Sequence, residues 1–199
     1  MKSTKHNEDE LSATERIILM LLYSSRGKVR GKLWFQKEMF ELSKAFEELR
    51  EELDFNAYSY GPFSEALDEY RDMLENSGLI ENLKLTREGL SIAQRIWEQS
   101  SDREKKIVKK IADFLESLDD DELLLYIYVT SPGMAEKSEI REKILRRRVQ
   151  IALKMLRKGK VSLGLAAKLA DLPLNEIRKK AIEAGIKPFD IEGDIEDKN

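Results

Sequence analysis

The sequence predicts a mainly α-helical fold with one small β-hairpin and a carboxy-terminal helix-turn-helix. Three observations carry this. Apolar residues recur at helical spacing through most of the 199 residues. Ser/Asp-x-x-Glu capping signals stand before several of those stretches. Two very short β-prone runs flank Asn82-Leu83, the pattern of a hairpin.

In chain order, residues 1–10 are polar and are expected to be a disordered tail. Ser12 and Glu15 form a capping box for a helix carrying Ile17, Ile18, Met20, Leu21 and Leu22. A second helix follows Gly31 and runs to about Leu53, with Leu33, Trp34, Met39, Phe40, Leu42 and Phe46 as its apolar positions. Phe55–Ser59 alternates and reads as a short strand, and Tyr60-Gly61-Pro62 as a turn. A third helix spans about Phe63–Asn76, with Leu67, Tyr70, Met73 and Leu74 on one face, and Ser77-Gly78 stops it. Leu79–Glu81 and Lys84–Thr86 make the hairpin, and Thr86 caps a helix from Arg87 to Glu98 that turns Leu90, Ala93, Ile96 and Trp97 inward. Three helices, a small hairpin and a helix form a winged-helix layout over residues 11–99, to which Phe55–Ser59 is expected to add a third strand.

Residues 100–132 read as a helical connector. Ser101 and Glu104 cap a helix over Asp102–Ser117 that buries Ile107, Ile111, Phe114 and Leu115. Asp119 and Glu122 cap a shorter helix over Leu123–Val129, their charge complementing the helix dipole. Ser131-Pro132-Gly133 marks the boundary between halves. Residues 133–188 hold a basic helix, Ser138–Lys158, with Ile140, Ile144, Ile151, Met155 and Leu156 as its stripe, and then two short helices between Val161 and Ile186. In the first of these Ala166, Ala167 and Ala170 permit close packing. In the second Ile177, Ala181 and Ile182 are expected inward. Residues 189–199 are an acidic tail.

Charge is distributed unevenly. Residues 138–188 hold 14 Lys and Arg against 5 Asp and Glu, whereas residues 189–199 hold one Lys and five acids. A local basic surplus of this size fits a polyanionic partner. Asn175 and Arg178 are base-edge readers by chemistry, and Lys179 suits phosphate. Arg146, Arg147, Arg148, Arg157, Lys158 and Lys160 are expected to clamp the DNA backbone, with Ser162 opening the first helix of the pair. The chain has no cysteine and a single histidine, His6, so thiolate metal sites and histidine-based triads have no residues to use. No phosphate-binding glycine loop occurs, and no cofactor is expected. The chain lacks an apolar run of the roughly 20 residues that span a bilayer, and a cytoplasmic protein that is not an enzyme is the expectation.

The segment from Val149 onward resembles a small prokaryotic family of antitoxin-like helix-turn-helix proteins of uncharacterised function. Ala152, Leu153, Leu156, Gly159, Lys160, Ser162, Leu163, Gly164, Ala166, Ala167, Leu169, Ala170 and Leu172 carry the resemblance. Asp171 stands where that family has Gly, and Pro173 where it has Ser or Thr, both in the turn. The resemblance implies binding of double-stranded DNA, or neutralisation of a toxin-like protein partner. Residues Ile17–Trp97 are similar, more loosely, to archaeal winged-helix regulators and the Panacea antitoxin family. That similarity rests on Tyr60-Gly61-Pro62-Phe63-Ser64, Gly78-Leu79-Ile80, Leu85-Thr86 and Gly89, and it implies a regulator fold rather than a chemistry. The sequence thus leads to a DNA-binding transcriptional regulator acting as a homodimer, with the faces of Asp102–Ser117 or Ser138–Lys158 as its interface. The alternative is a module that neutralises a protein partner without reading DNA.

Overall fold

The structure, a computed structural model, describes residues 11–186. The two tails and His6 lie outside the described residues. Within them the chain forms eleven α-helices and four short strands, and it divides into two compact units. The first takes the chain to Asn56 and from Pro62 to Glu116; the second takes Ala57–Gly61 and the chain from Ser117 onward. The division therefore falls inside the expected connector rather than at Ser131–Gly133.

In the first unit, α1 (Ala13–Ser24) is the central helix. Ser12 and Glu15 close its capping box, and Ile17–Leu22 are all buried. A helix apolar on every side needs neighbours on every side, and α3, α4 and α5 pack against it. The expected single helix to Leu53 is two, α2 (Lys32–Ser43) and α3 (Glu47–Leu53). Phe46 takes an extended backbone between them and is buried, and the break turns the Leu49–Leu53 stripe of α3 toward α1 and α4. Asn56–Tyr58 (β1) pairs with Gly61–Phe63 (β2) as a local hairpin, so it does not extend the sheet made by Ile80–Glu81 (β3) and Lys84–Leu85 (β4). Residues 27–29 run beside that sheet instead: Leu85 N–H donates to the Gly27 carbonyl at 2.8 Å and Val29 N–H to the Leu83 carbonyl at 3.0 Å.

The β3–β4 register pairs Ile80 with Leu85 and Glu81 with Lys84. Asn82 and Leu83 at its tip are both left-handed, as a two-residue hairpin turn of primed type requires. Leu83 accepts that backbone and is itself buried. Helix α4 (Glu65–Asn76) is capped by Ser64 and buries Leu67 and Leu74, while Met73 is exposed. Helix α5 (Arg87–Gln99) starts at Thr86, whose hydroxyl accepts from Gly89 N–H and donates to the Gly78 carbonyl. Gly89 has no room for a side chain: a Cβ there would lie 1.8 Å from the Leu79 carbonyl oxygen. Ile92, Ala93 and Ile96 face inward and Leu90 is exposed, contrary to expectation. In α6 (Asp102–Ser117) the buried positions are Val108, Ala112 and Leu115; Ile107, Ile111 and Phe114 are half-buried.

Helix α2 carries two buried ionisable groups side by side. Lys37 donates to the Pro62 carbonyl at 2.8 Å, and burial pushes its ammonium down to about 7. Burial and the nearby Glu116 push the Glu38 carboxyl up to about 8, against the pull of Arg30. One Glu38 carboxyl oxygen has no hydrogen-bond partner. The raised acid favours folding at low pH, and that contribution drains away between its ordinary 4.5 and about 8. The depressed lysine favours folding at high pH, and its contribution is lost as pH falls from 10.5 to about 7. These two groups are therefore expected to give the first unit's urea midpoint a dip between about pH 7 and 8. Glu38→Gln is expected to remove the decline on the acid side and leave the alkaline rise. An unchanged profile in Glu38→Gln contradicts this account.

In the second unit α7 (Asp120–Thr130) is central, with Leu123, Leu124, Leu125, Ile127 and Tyr128 buried. A 3-10 turn, Pro132–Ala135, follows it. Tyr128 Oη and Ser138 Oγ are 2.7 Å apart, and Ser138 Oγ donates to the Ser59 carbonyl. The expected basic helix is broken at Arg147 into α8 (Arg141–Arg146) and α9 (Arg148–Arg157). Ile144, Ile151, Met155 and Leu156 of its stripe are buried. Left-handed Gly159 ends α9, and two short helices follow, α10 (Leu163–Ala170) and α11 (Leu174–Glu183).

Candidate nucleic-acid interface

Helices α10 and α11 are joined by Asp171-Leu172-Pro173. Ser162 caps α10 by accepting from Leu165 N–H at 3.1 Å. Ala166, Ala167, Leu169 and Ala170 are buried, and α10 packs on α7, α9 and α11. Asp171 is left-handed, with φ 57° and ψ 47°. This conformation favours glycine, and Asp is among the few residues that tolerate it. Arg148 ties the turn down: its Nε donates to the Leu169 carbonyl at 2.8 Å and its Nη1 to Asp171 Oδ2 at 3.0 Å. Pro173, with φ −56°, stands at the N-cap of α11, where its missing N–H costs nothing.

The acidic run before α7 meets the basic block. Glu122 is fully buried. Its Oε2 accepts from Asp119 N–H at 3.0 Å and from Lys160 Nζ at 2.5 Å. Lys154 and Lys158 stand 3.6 and 3.8 Å from Oε1. Lys154 also donates to Asp119. Burial opposes ionisation of Asp119, but the hydrogen bonds from Lys154 and from Glu122 N–H outweigh it and hold the carboxyl below its ordinary range. Arg147 Nη1 donates to Asp121 Oδ2 at 2.6 Å. The Asp119–Glu122 run is thus more than a helix cap: it is the counter-charge of Arg147, Lys154, Lys158 and Lys160. Among the described residues no acidic cluster has the make-up of a metal site.

This arrangement redistributes the expected contact residues. Arg147, Arg148, Lys158 and Lys160 are engaged within the unit, as is Arg157, which donates to the Ala184 carbonyl at 2.8 Å. The Ser162 hydroxyl serves as a cap. Arg146 is exposed and, among the described residues, pairs with Glu142, one turn away at 3.2 Å. Asn175, Arg178 and Lys179 are brought together on the outer face of α11, whose opposite face, Ile177 and Ala181, is buried. With Leu174, Ile182 and Glu183 they form one open patch along the helix. Arg178 makes no ion pair among the described residues, and Lys179 lies 4.0 Å from Glu183.

Sequence reasoning did not anticipate two features of this face. Leu174 is 51% exposed and Ile182 57% exposed. Ile182 was expected inward, but it lies five residues from Ile177, well round the helix from that buried position, and it turns outward. That geometry was the available signal. Comparison of the chain with protein-family models, with curated proteins and with solved structures finds no significant match.

Removing a buried charge leaves its partners uncompensated. Glu122→Gln is therefore expected to destabilise the second unit by about 3 kcal/mol, the low end of the usual range because Lys154 and Lys158 reach solvent. The exposed pair at Glu142 is the control: Glu142→Gln is expected to cost less than about 1 kcal/mol. Urea unfolding measures both, and equal effects contradict the central place given to Glu122.

Proposed function

We propose that the chain is a sequence-specific DNA-binding regulator in which α10 and α11 act as a helix-turn-helix and α11 enters the major groove. One observation carries the reading: Asn175, Arg178 and Lys179 are exposed together on a helix whose back is locked against its neighbours. Asn suits adenine, Arg suits guanine, and Lys suits phosphate. The first unit, with four helices before the β3–β4 hairpin and two after it, is read as a winged helix with an added helical segment, in keeping with the resemblances drawn from sequence. A homodimer would set two copies of α11 about one DNA turn apart. Val108, Ala112 and Leu115, and Ile144, Ile151, Met155 and Leu156, are buried within the single chain. A dimer interface must therefore use other surfaces, or the half-buried Ile107, Ile111 and Phe114.

The backbone clamp is smaller in this reading than the basic surplus implies, because Arg147, Arg148, Arg157, Lys158 and Lys160 have internal partners. A second reading, capture of a toxin-like protein by the same face, is favoured by the exposed Leu174 and Ile182.

On a duplex that the wild-type chain binds with sequence preference, Arg178→Ala is expected to cost about 1–3 kcal/mol and to relax the preference at one base pair. Lys179→Ala is expected to weaken binding evenly across sequences and to lower the salt slope by about one. Fluorescence anisotropy at several salt concentrations measures both effects. Binding indifferent to both substitutions contradicts the proposal.

A further inference from the structure

We propose that α11 reads thymine methyl groups as well as hydrogen-bonding edges. Leu174 and Ile182 are its specificity-determining apolar residues, each covering a thymine C5-methyl on one side of the guanine met by Arg178. The inference rests on the DNA-binding reading above and names what the two exposed apolar side chains of that face recognise.

The outer side of α11 is built of two ridges. Leu174, Arg178 and Ile182 follow one another at intervals of one turn, and Asn175, Lys179 and Glu183 run beside them. Leu174 and Ile182 are both more than half exposed. Lys179 lies 4.0 Å from Glu183 on the second ridge, and Arg178 makes no ion pair among the described residues. The first ridge is thus apolar, cationic and apolar in turn.

This ridge starts from a fixed point. Pro173, with φ −56°, directly precedes Leu174. Left-handed Asp171 is held by Arg148, and Ile177 and Ala181 are buried behind the face. Leu174 therefore has a set place at the amino-terminal end of α11, the end that a recognition helix turns to the base edges.

The apolar group that base edges offer in the major groove is the C5-methyl of thymine. Over a polar edge of guanine, adenine or cytosine, a leucine or isoleucine displaces water and returns no hydrogen bond. Over a methyl it buries apolar surface on both partners. With Arg178 on guanine, its ridge neighbours stand about 6 Å away to each side along the helix axis. For a helix lying along the groove that is roughly two base-pair steps of about 3.4 Å. The expected site therefore has thymines, on either strand, about two steps to each side of a guanine.

A duplex enriched from random DNA by the full chain is the probe. Each thymidine in it is replaced in turn by deoxyuridine, which removes the methyl and keeps the pairing, and affinity is read by fluorescence anisotropy. Two of the replacements are expected to weaken wild-type binding about four-fold each, the effect of one buried methyl-sized group. Leu174→Ala is expected to abolish the sensitivity at one of these thymines and keep it at the other, and Ile182→Ala the reverse; Leu174→Met keeps both. The readout is a ratio within one variant, so a general loss of affinity or stability does not mimic it. An enriched duplex that tolerates every replacement overturns the inference and leaves the DNA reading standing. So does sensitivity that survives undiminished in both alanine variants, which assigns the methyls to another part of the chain. If the full chain enriches no sequence, the DNA reading and the inference fall together, and Leu174 and Ile182 are left to a protein partner.

Discussion

The second unit depends on a buried carboxylate. Glu122 has no contact with solvent, and an ionised carboxylate in that position must be compensated within the protein. Lys160 supplies the direct contact, Lys154 and Lys158 add positive charge from the last turns of α9, and Asp119 N–H donates from the helix cap. The same acidic run that starts α7 therefore fixes where α9 and the loop into α10 lie. Arg147 on Asp121 and Arg148 on the turn before α11 extend the arrangement to the two ends of that helix pair. The break between α8 and α9 separates these adjacent arginines and sends them to different partners.

This has a functional consequence. A basic surplus read along the chain suggests a broad polyanion-binding surface. In three dimensions much of it neutralises Asp119, Asp121, Glu122 and Asp171 or caps carbonyl groups at Leu169 and Ala184. The exposed face of α11 carries Asn175, Arg178 and Lys179, bounded by Leu174 and Ile182, and Arg141, Lys143, Arg146, Lys168 and Lys180 are exposed as well.

Local structure was legible in the sequence because its causes are local. Ser12, Thr86, Ser101, Asp119 and Ser162 cap the helices they precede, and the β3–β4 hairpin has the expected strands and tip. The departures are long-range. Nothing within a few residues of Phe46 or Arg147 dictates a helix break; the partners that α3, α8 and α9 must reach do. The strand role of residues 27–29 depends on hydrogen bonds to Leu83 and Leu85, more than 50 positions away. Lys154, Lys158 and Lys160 look like phosphate contacts until Glu122, over 30 residues earlier, is seen between them. The left-handed Asp171 makes the turn before α11 without the glycine that this conformation favours.

The most direct test of the functional account is selection of bound sequences from random duplex DNA by the full chain, at low and at near-physiological salt. The account predicts enrichment of a short motif that persists at the higher salt, since base-edge contacts from α11 are then the main source of discrimination. Recovery of unenriched DNA at low salt and of none at higher salt would contradict it, and would leave the α11 face as a surface for protein alone.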